Sequence, residues 1–246
     1  HPLTSFTSDG FNLGTGANGF NDNNEQFVAW NWNEGSEYGF DIVSYTGDNV
    51  AGHTINHNLG KELELMIIKP SSIIGGWSIY HKNIGNNKQV HLNLMDASSL
   101  SSAFNNVNPT SNVFYLGGNG WGVNDLGNNY IAYLFTSIDG YSKVGSYTGN
   151  GNADGPFVYT GFKPKYLMLK RTDVANDWEI FDTVRNLNNP ATRDLYANYN
   201  QAETNVAQMD FLSNGFKPRQ SGAWMNANGG TYIYIAFAEY PMSTNY

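Results

Sequence analysis

Apolar residues fall into short runs along the chain, and clusters of glycine, asparagine and aspartate separate these runs. The runs are rich in β-branched and aromatic residues, which is typical of strands bounded by turns. Between residues 40 and 139 the pattern predicts strands at Ile42–Tyr45, Leu65–Lys69, Trp77–His81, Val90–Leu94, Val113–Leu116 and Tyr130–Phe135. Because this many strands in about 100 residues is typical of a sandwich, we predict an all-β fold of jelly-roll-like β-sandwiches.

The spacing of apolar residues within a run predicts where each strand lies in its sheet. Leu65–Ile68 and Ile131–Phe135 are continuously apolar, so we expect them to be central strands. Val90–Leu94 alternates between apolar and polar residues, which predicts one wet face. Asp96–Phe104 is the one segment that looks helical, with Asp96 as its N-cap.

Three motifs recur in the same order about 102 residues later, as Ser44–Gly47 does at Ser146–Gly149 (146 − 44 = 102). The other two pairs are Trp77–Tyr80 with Trp178–Phe181, and Tyr130–Tyr133 with Tyr232–Ile235. Self-similarity at a fixed period indicates a repeat architecture. We therefore predict two tandem β-sandwich repeats, at residues 40–139 and 140–246.

Residues 1–39 are predicted to be the end of a truncated upstream repeat. Phe6–Phe11 parallels Phe211–Phe216, and Phe27–Trp30 takes the place of Tyr232–Ile235. On this interpretation the chain begins roughly two thirds of the way through a repeat. The alternative is that residues 1–34 complete a neighbouring unit by supplying strands to it.

Composition narrows the function classes. Charged residues make up 14% of the chain and aromatic residues 15%, so uncharged polar side chains must supply most of the polar surface, as in fibrous and lectin-like proteins. The formal charge of −8 argues against a nucleic-acid partner, and no apolar run approaches the ~18 residues that membrane insertion needs. The absence of cysteine excludes disulfides and thiolate metal sites.

Long motifs in both predicted repeats resemble a tandem β-repeat family of marine bacteriophage tail-fibre and other virion structural proteins. They are His57–Gly60, Met66–Lys69, Trp77–His81, Tyr141–Phe162, Leu167–Arg171, Phe211–Phe216 and Tyr232–Glu239. The resemblance covers nearly the whole chain, although Lys61 and Glu62 depart from the family's small residue and proline after the His-Asn-Leu-Gly turn. It implies a protein of the virion surface that partners other virion proteins. We also expect a homo-oligomer, with a trimer among the options, because fibres are normally closed homo-oligomers.

Histidines are the first candidates for metal or catalytic chemistry. His53 and His57 have the spacing of a zinc-binding helix, but they lack its glutamate and lie in a strand-rich region. Turn and edge roles are the better interpretation of these two residues. His81 follows a predicted strand, and we expect it at a solvent-facing polar position.

Oxygen-bearing side chains form two further candidate sites. Asn150–Gly155 mimics the first half of a calcium loop, but Gly161 occupies the place of the bidentate glutamate, so a hairpin turn is favoured. Asp177 and Glu179 share a strand face, which is compatible with the acid pair of a glycoside hydrolase. Solvated surface is the favoured interpretation, so we predict no catalytic residue, no metal, no cofactor and no enzymatic activity.

Tryptophans supply the candidate ligand-binding residues. Trp121 and Trp224 each lie in a loop rich in small and polar residues, and exposed aromatic rings suit contact with sugars. A lid over the end of the sandwich, or an interface between repeats, explains them equally well. Trp77 and Trp178 are equivalent in the repeat and are expected in the core.

The leading functional hypothesis is a phage fibre or surface appendage that attaches to a host-surface glycan or other receptor. The alternative is a carbohydrate-binding module of a larger secreted enzyme. A third class, a hydrolase built on Asp177 and Glu179, would release sugars from host polysaccharide.

Overall fold

A computed structural model describes residues 3–14, 21–118, 120–206 and 208–239. The chain forms two compact units, residues 1–33 and 34–246. In the first unit, strands β1 (Leu3–Phe6) and β2 (Phe11–Leu13) form an antiparallel hairpin in which Phe6 pairs with Phe11. Residues 27–34 form no strand, so Phe27–Trp30 does not reproduce the strand found at Tyr232–Ile235.

The second unit begins with an antiparallel six-stranded sheet in the order β3-β10-β5-β6-β7-β8 and a two-stranded sheet, β4-β9. Apolar residues of both sheets, including Met66, Tyr130 and Phe114, form one buried cluster, so the first core lies between them. The strands are β3 (Phe40–Thr46), β4 (His53–Asn56), β5 (Leu65–Pro70), β6 (Ser78–His81), β7 (Lys88–His91), β8 (Ser99–Leu100), β9 (Val113–Leu116) and β10 (Asn129–Phe135).

The rest of this unit contains a five-stranded sheet in the order β11-β18-β13-β14-β15 and a three-stranded sheet, β12-β17-β16. Leu167, Phe216 and Tyr232 belong to the second buried cluster, which joins these two sheets. The elements are β11 (Ser142–Thr148), β12 (Val158–Tyr159), β13 (Tyr166–Arg171), β14 (Trp178–Asp182), β15 (Leu195–Tyr196), β16 (Met209–Leu212), β17 (Gly215–Pro218), α1 (Ala223–Asn226) and β18 (Thr231–Phe237).

The all-β prediction is confirmed, and so is the placement of the continuously apolar runs. Strand β5 lies between β10 and β6, and β10 lies between β3 and β5, so both are central strands. In β13, which lies between β18 and β14, consecutive residues Leu167, Met168 and Leu169 are all buried, because both faces of the sheet are covered.

Two local predictions were wrong. Residues 96–104 form turns and strand β8 instead of a helix, and the Asp96 carboxylate accepts hydrogen bonds from the backbone N–H and the ring Nδ1 of His91. The serine-rich sequence gives such a helix little intrinsic stability. The strand expected at Val90–Leu94 ends at His91, and Leu94 is exposed.

Candidate functional site

The outer face of the β13-β14-β18 sheet, which points away from its own core cluster, is buried. Register places Met168, Lys170 and Trp178 on this face, and each is less than a tenth exposed. Residues 91–98, here called the junction segment, hydrogen-bond to it. The Trp178 indole Nε1 donates to the His91 carbonyl at 2.9 Å.

Lys170 and the β13-β14 loop supply further contacts with the junction segment. The Lys170 ammonium donates to the Met95 carbonyl at 3.2 Å and to the Asn176 carbonyl. The Ser98 backbone N–H donates to the Thr172 carbonyl at 2.9 Å. Burial lowers the pKa of Lys170 to about 8, although Asp96 and Asp177 oppose this shift.

A cleft of about 410 Å³ opens where the junction segment meets this sheet. It is lined by Asn93, Leu94 and Met95 of the junction segment. Asp177, Asn198 and Tyr199, from the second half of the larger unit (residues 140–239), complete the lining. Met95 and Tyr199 are each about half exposed, at 52% and 54%. The cleft therefore combines an accessible aromatic ring, a flexible thioether and several polar groups.

Hydrogen bonds fix the polar side chains of the cleft. Asn198 accepts from the Trp178 backbone N–H at 2.8 Å through Oδ1 and donates to the Asp177 carboxylate at 2.6 Å through Nδ2. Asn93 accepts from the Trp77 backbone N–H at 2.8 Å in the same way. Such preorganised carboxylate and amide groups around an apolar surface suit a ligand that carries hydroxyl groups.

A wider groove of about 730 Å³ is a weaker candidate. Its lining includes Asp154, Asp210 and Arg219 and contains no aromatic ring. Arg219 pairs with both of these carboxylates, so the charges that a ligand would need are already compensated.

The two acids considered for hydrolysis have different environments. Asp177 lines the cleft, whereas Glu179 is 3% exposed and points into the core, next to Asp194. Burial, followed by the hydrogen bond with Asp194, raises the pKa of Glu179 to about 9, so it is a neutral acid at pH 7. The expectation of solvated surface was wrong for Glu179, because the β14-β15 edge and residues 194–204 cover it.

His53 and His57 have different hydrogen-bond partners. His53 Nδ1 lies 2.9 Å from Asn124 Oδ1, and His57 Nε2 lies 3.2 Å from the Thr110 carbonyl. Within the described residues no group of three or more His, Cys, Asp or Glu side chains could hold a metal ion.

His81 is not at a solvent-facing position, contrary to expectation. It is 1% exposed, and its Nε2 lies 3.4 Å from the Tyr234 carbonyl, in the second half of the unit. Burial lowers its pKa to about 4. The sequence around His81 gives no sign of this burial, because the covering residue, Tyr234, lies 153 positions away.

The calcium-like loop uses its oxygen atoms internally. Asn150 Oδ1 accepts from the Asn152 N–H, and Asn152 Oδ1 accepts from the Asp154 N–H. The Asp154 carboxylate pairs with Lys217 and Arg219. The bonds within the loop are turn contacts, but the strands on either side of it, β11 and β12, lie in different sheets, so the predicted hairpin turn is not formed.

Trp121 and Trp224 are both half-buried and pack against the first and second core clusters, respectively. Neither lines the cleft. Their positions suit the lid interpretation, and their predicted role in ligand binding stays a prediction. Trp178 is buried as expected, whereas Trp77 is only half-buried.

Sequence reasoning did not identify Asn93, Met95, Asn198 or Tyr199 as site residues. One signal was available, because Asn93 and Asn198 each follow the repeated tryptophan motif and are 105 residues apart (198 − 93 = 105). The convergence of the two on one cleft depends on how the two halves pack.

The family described as "Domain of unknown function (DUF7483)" matches residues 1–241. The chain belongs to this family. The DUF7483 match spans both compact units and every residue of the cleft. No curated protein and no solved structure matches the chain. In the described ranges, no helix has the length and apolar character to cross a membrane.

Proposed function

We propose that this protein is a bacteriophage virion surface protein, a fibre or appendage, that attaches to host glycan through the junction cleft. The observation that carries the attachment role is the cleft itself, where the exposed Tyr199 ring adjoins the fixed Asp177 carboxylate. The virion context rests on the resemblance of the repeat motifs to phage fibre proteins.

We further propose that the second unit consists of two tandem β-sandwich repeats. The strand order β3-β10-β5-β6-β7 corresponds to β11-β18-β13-β14-β15. Tyr45 stacks on Tyr130 at 5.1 Å, and Tyr147 stacks on Tyr232 at 4.8 Å.

Buried asparagines give the proposed repeat independent support. Asn124 Oδ1 accepts from the Asp48 N–H at 3.1 Å, and Asn226 Oδ1 accepts from the Asn150 N–H at 2.9 Å. Agreement between rings, amides and sheet order favours duplication of one unit, which suits an elongated appendage.

The chemistry of the cleft favours a neutral, hydroxyl-rich oligosaccharide. An aromatic ring can stack on the apolar face of a sugar, and the Asp177 carboxylate can accept hydrogen bonds from hydroxyl groups. The same carboxylate, in a chain of formal charge −8, opposes sialic and uronic acids.

A glycan array with matched variants tests this function. We expect binding to neutral oligosaccharides, with a loss of about ten-fold or more in Asp177→Asn and in Tyr199→Ala. The control is Tyr159→Ala, because Tyr159 is 63% exposed on β12 and does not line the cleft. Equal binding by the wild type and both cleft variants would refute the proposed site.

A further inference from the structure

The outer face of the first sheet corresponds to the buried outer face of the second sheet. Its residues Ile42, Lys69, Trp77, Ile131 and Tyr133, here called the first docking face, are partly or largely exposed. Their counterparts are Val144, Lys170, Trp178, Ile233 and Ile235, here called the second docking face, and all are less than a tenth exposed.

The first docking face keeps the side-chain arrangement of the second. The Lys69 ammonium donates to the Gly75 carbonyl at 2.9 Å, as Lys170 donates to the carbonyl of Asn176. Lys69 also lies over the Trp77 ring, 5.8 Å from its centre, and Trp77 stacks on Tyr133 at 6.3 Å. The face is therefore ordered and partly apolar.

The second repeat also carries a counterpart of the junction segment, at residues 196–203. Asn198 accepts from the Trp178 N–H as Asn93 accepts from the Trp77 N–H. The bridge between Asp194 and Thr204 corresponds to the pairing of Gln89 with Ser99. Both segments thus have the same backbone frame, and residues 199–203 are exposed.

The Ser98 hydroxyl donates to the Thr172 carbonyl at 3.0 Å, but the other hydrogen bonds from the junction segment to this sheet use its backbone groups. They are the carbonyls of His91 and Met95 and the N–H of Ser98. Tyr196, Asn200 and Glu203 would present the same backbone groups from the second repeat. These backbone contacts therefore do not depend on the side chains that differ between the two segments, although Glu203 has no hydroxyl to replace that of Ser98.

We propose that residues 196–203 of one copy of this chain dock onto the first docking face of a second copy. The contact is heterologous, because it joins two different surfaces, so it builds a ring or a filament of copies. It rests on the proposed repeat. Asn198 and Tyr199 of the docking segment also line the cleft, whereas Lys69 and Trp77 of the first docking face do not.

Two charge-changing substitutions at the proposed contact between Lys69 and residue 200 provide the test. Lys170 reaches the Met95 carbonyl at 3.2 Å, so Lys69 of one copy should reach the Asn200 carbonyl of the next. Asn200→Lys places a second ammonium group next to that of Lys69, and the two repel each other. Lys69→Glu places a carboxylate next to the Asn200 carbonyl, and these two groups also repel. Each is expected to weaken self-association by about ten-fold.

Sedimentation velocity over a range of concentrations measures the association. We expect the mass of the wild type to rise with concentration, each single variant to remain smaller, and an equimolar mixture of the two variants to regain association. Glycan-array binding should be retained in Lys69→Glu, because Lys69 does not line the cleft, and this result separates the proposal from the cleft. A wild type that is monomeric throughout, association that ignores both substitutions, or a mixture that gains nothing would each overturn the proposal.

Discussion

The indole nitrogen of Trp178 donates a hydrogen bond to the backbone carbonyl of His91, 2.9 Å away, and so joins the two halves of the larger unit. Trp178 is 2% exposed, whereas His91 is only partly buried. The junction thereby depends on directional contacts in addition to apolar burial.

Trp178→Phe should lower the free energy of unfolding by about 1–3 kcal/mol, because it removes the 2.9 Å bond to the His91 carbonyl, whose other donor, the Leu94 N–H, lies 3.4 Å away. Urea denaturation measures the change. The control is Trp77→Phe, at the half-exposed counterpart, for which we expect a loss below about 1 kcal/mol. Equal losses in both variants would contradict the account of the junction.

Glu179→Gln should abolish part of the pH dependence of stability. Burial raises the folded-state pKa of Glu179 to about 9 from an ordinary value of 4.5. The folded state therefore keeps a proton that the unfolded state loses, and stability falls as the pH rises from 4.5 towards 9.

The slope for Glu179 is at most about 1.4 kcal/mol per pH unit. The charged or titratable groups that act on Glu179, or on which it acts, are Asp177, Asp194, Tyr147 and Tyr196. Denaturation of the wild type and of Glu179→Gln between pH 6.5 and 9 measures the difference. Parallel profiles for the two proteins would show that Glu179 is ionised in the fold.

His81→Gln should remove a loss of stability at acid pH. The folded-state pKa of His81 is lowered to about 4 from 6.5, so the unfolded state takes up its proton first. The stability that depends on neutral His81 is fully present above pH 6.5, and it is lost as the pH drops towards 4. A glutamine amide can still donate to the Tyr234 carbonyl, and Lys82 and Glu64 are the charged groups that act on His81. Subtracting the free energy of unfolding of the wild type from that of the variant at each pH cancels the contribution of Glu179, which both proteins share. A difference that does not vary with pH would rule out a buried neutral His81.

Asn226→Ala should lower the free energy of unfolding by at least about 2 kcal/mol. The buried amide donates to the carbonyls of Asn152 and Gln220 and accepts from the Asn150 N–H, so its removal takes a partner from all three groups. Asn228→Ala, at an exposed position in the same turn region, is the matched control. Thermal unfolding followed by circular dichroism compares the two variants, and similar midpoints would argue against the proposed role of Asn226.

Strong local patterns predicted much of the fold. Val113–Leu116 was predicted residue for residue, and the run Leu65–Ile68 lies within the central strand β5. The features that sequence reasoning missed depend on contacts between segments that are distant in sequence. His81 and Glu179 are polar residues on strands, and only the packing of distant segments buries them.

The candidate cleft was out of reach for the same reason. Asp177 was noticed as one of a pair of acids, but its partner in the cleft is Asn198 and not Glu179. The aromatic ring of the cleft belongs to Tyr199, whereas the sequence predicted the loop residues Trp121 and Trp224 as ligand-binding residues. Spacing along the chain locates recurring motifs, but it does not show which side chains meet where the two halves of the larger unit join.

Methyl NMR of the methionines tests the central claim, that the junction cleft is the glycan-binding site, most directly. Met95 lines the cleft, whereas Met225 is buried in the core cluster against which Trp224 packs. The oligosaccharide that binds best on the array is added to protein labelled at its methionine methyl groups. We predict a saturable shift of the Met95 methyl signal with no shift of Met225. A shift of Met225 with Met95 unmoved would contradict the account and place the ligand beside Trp224.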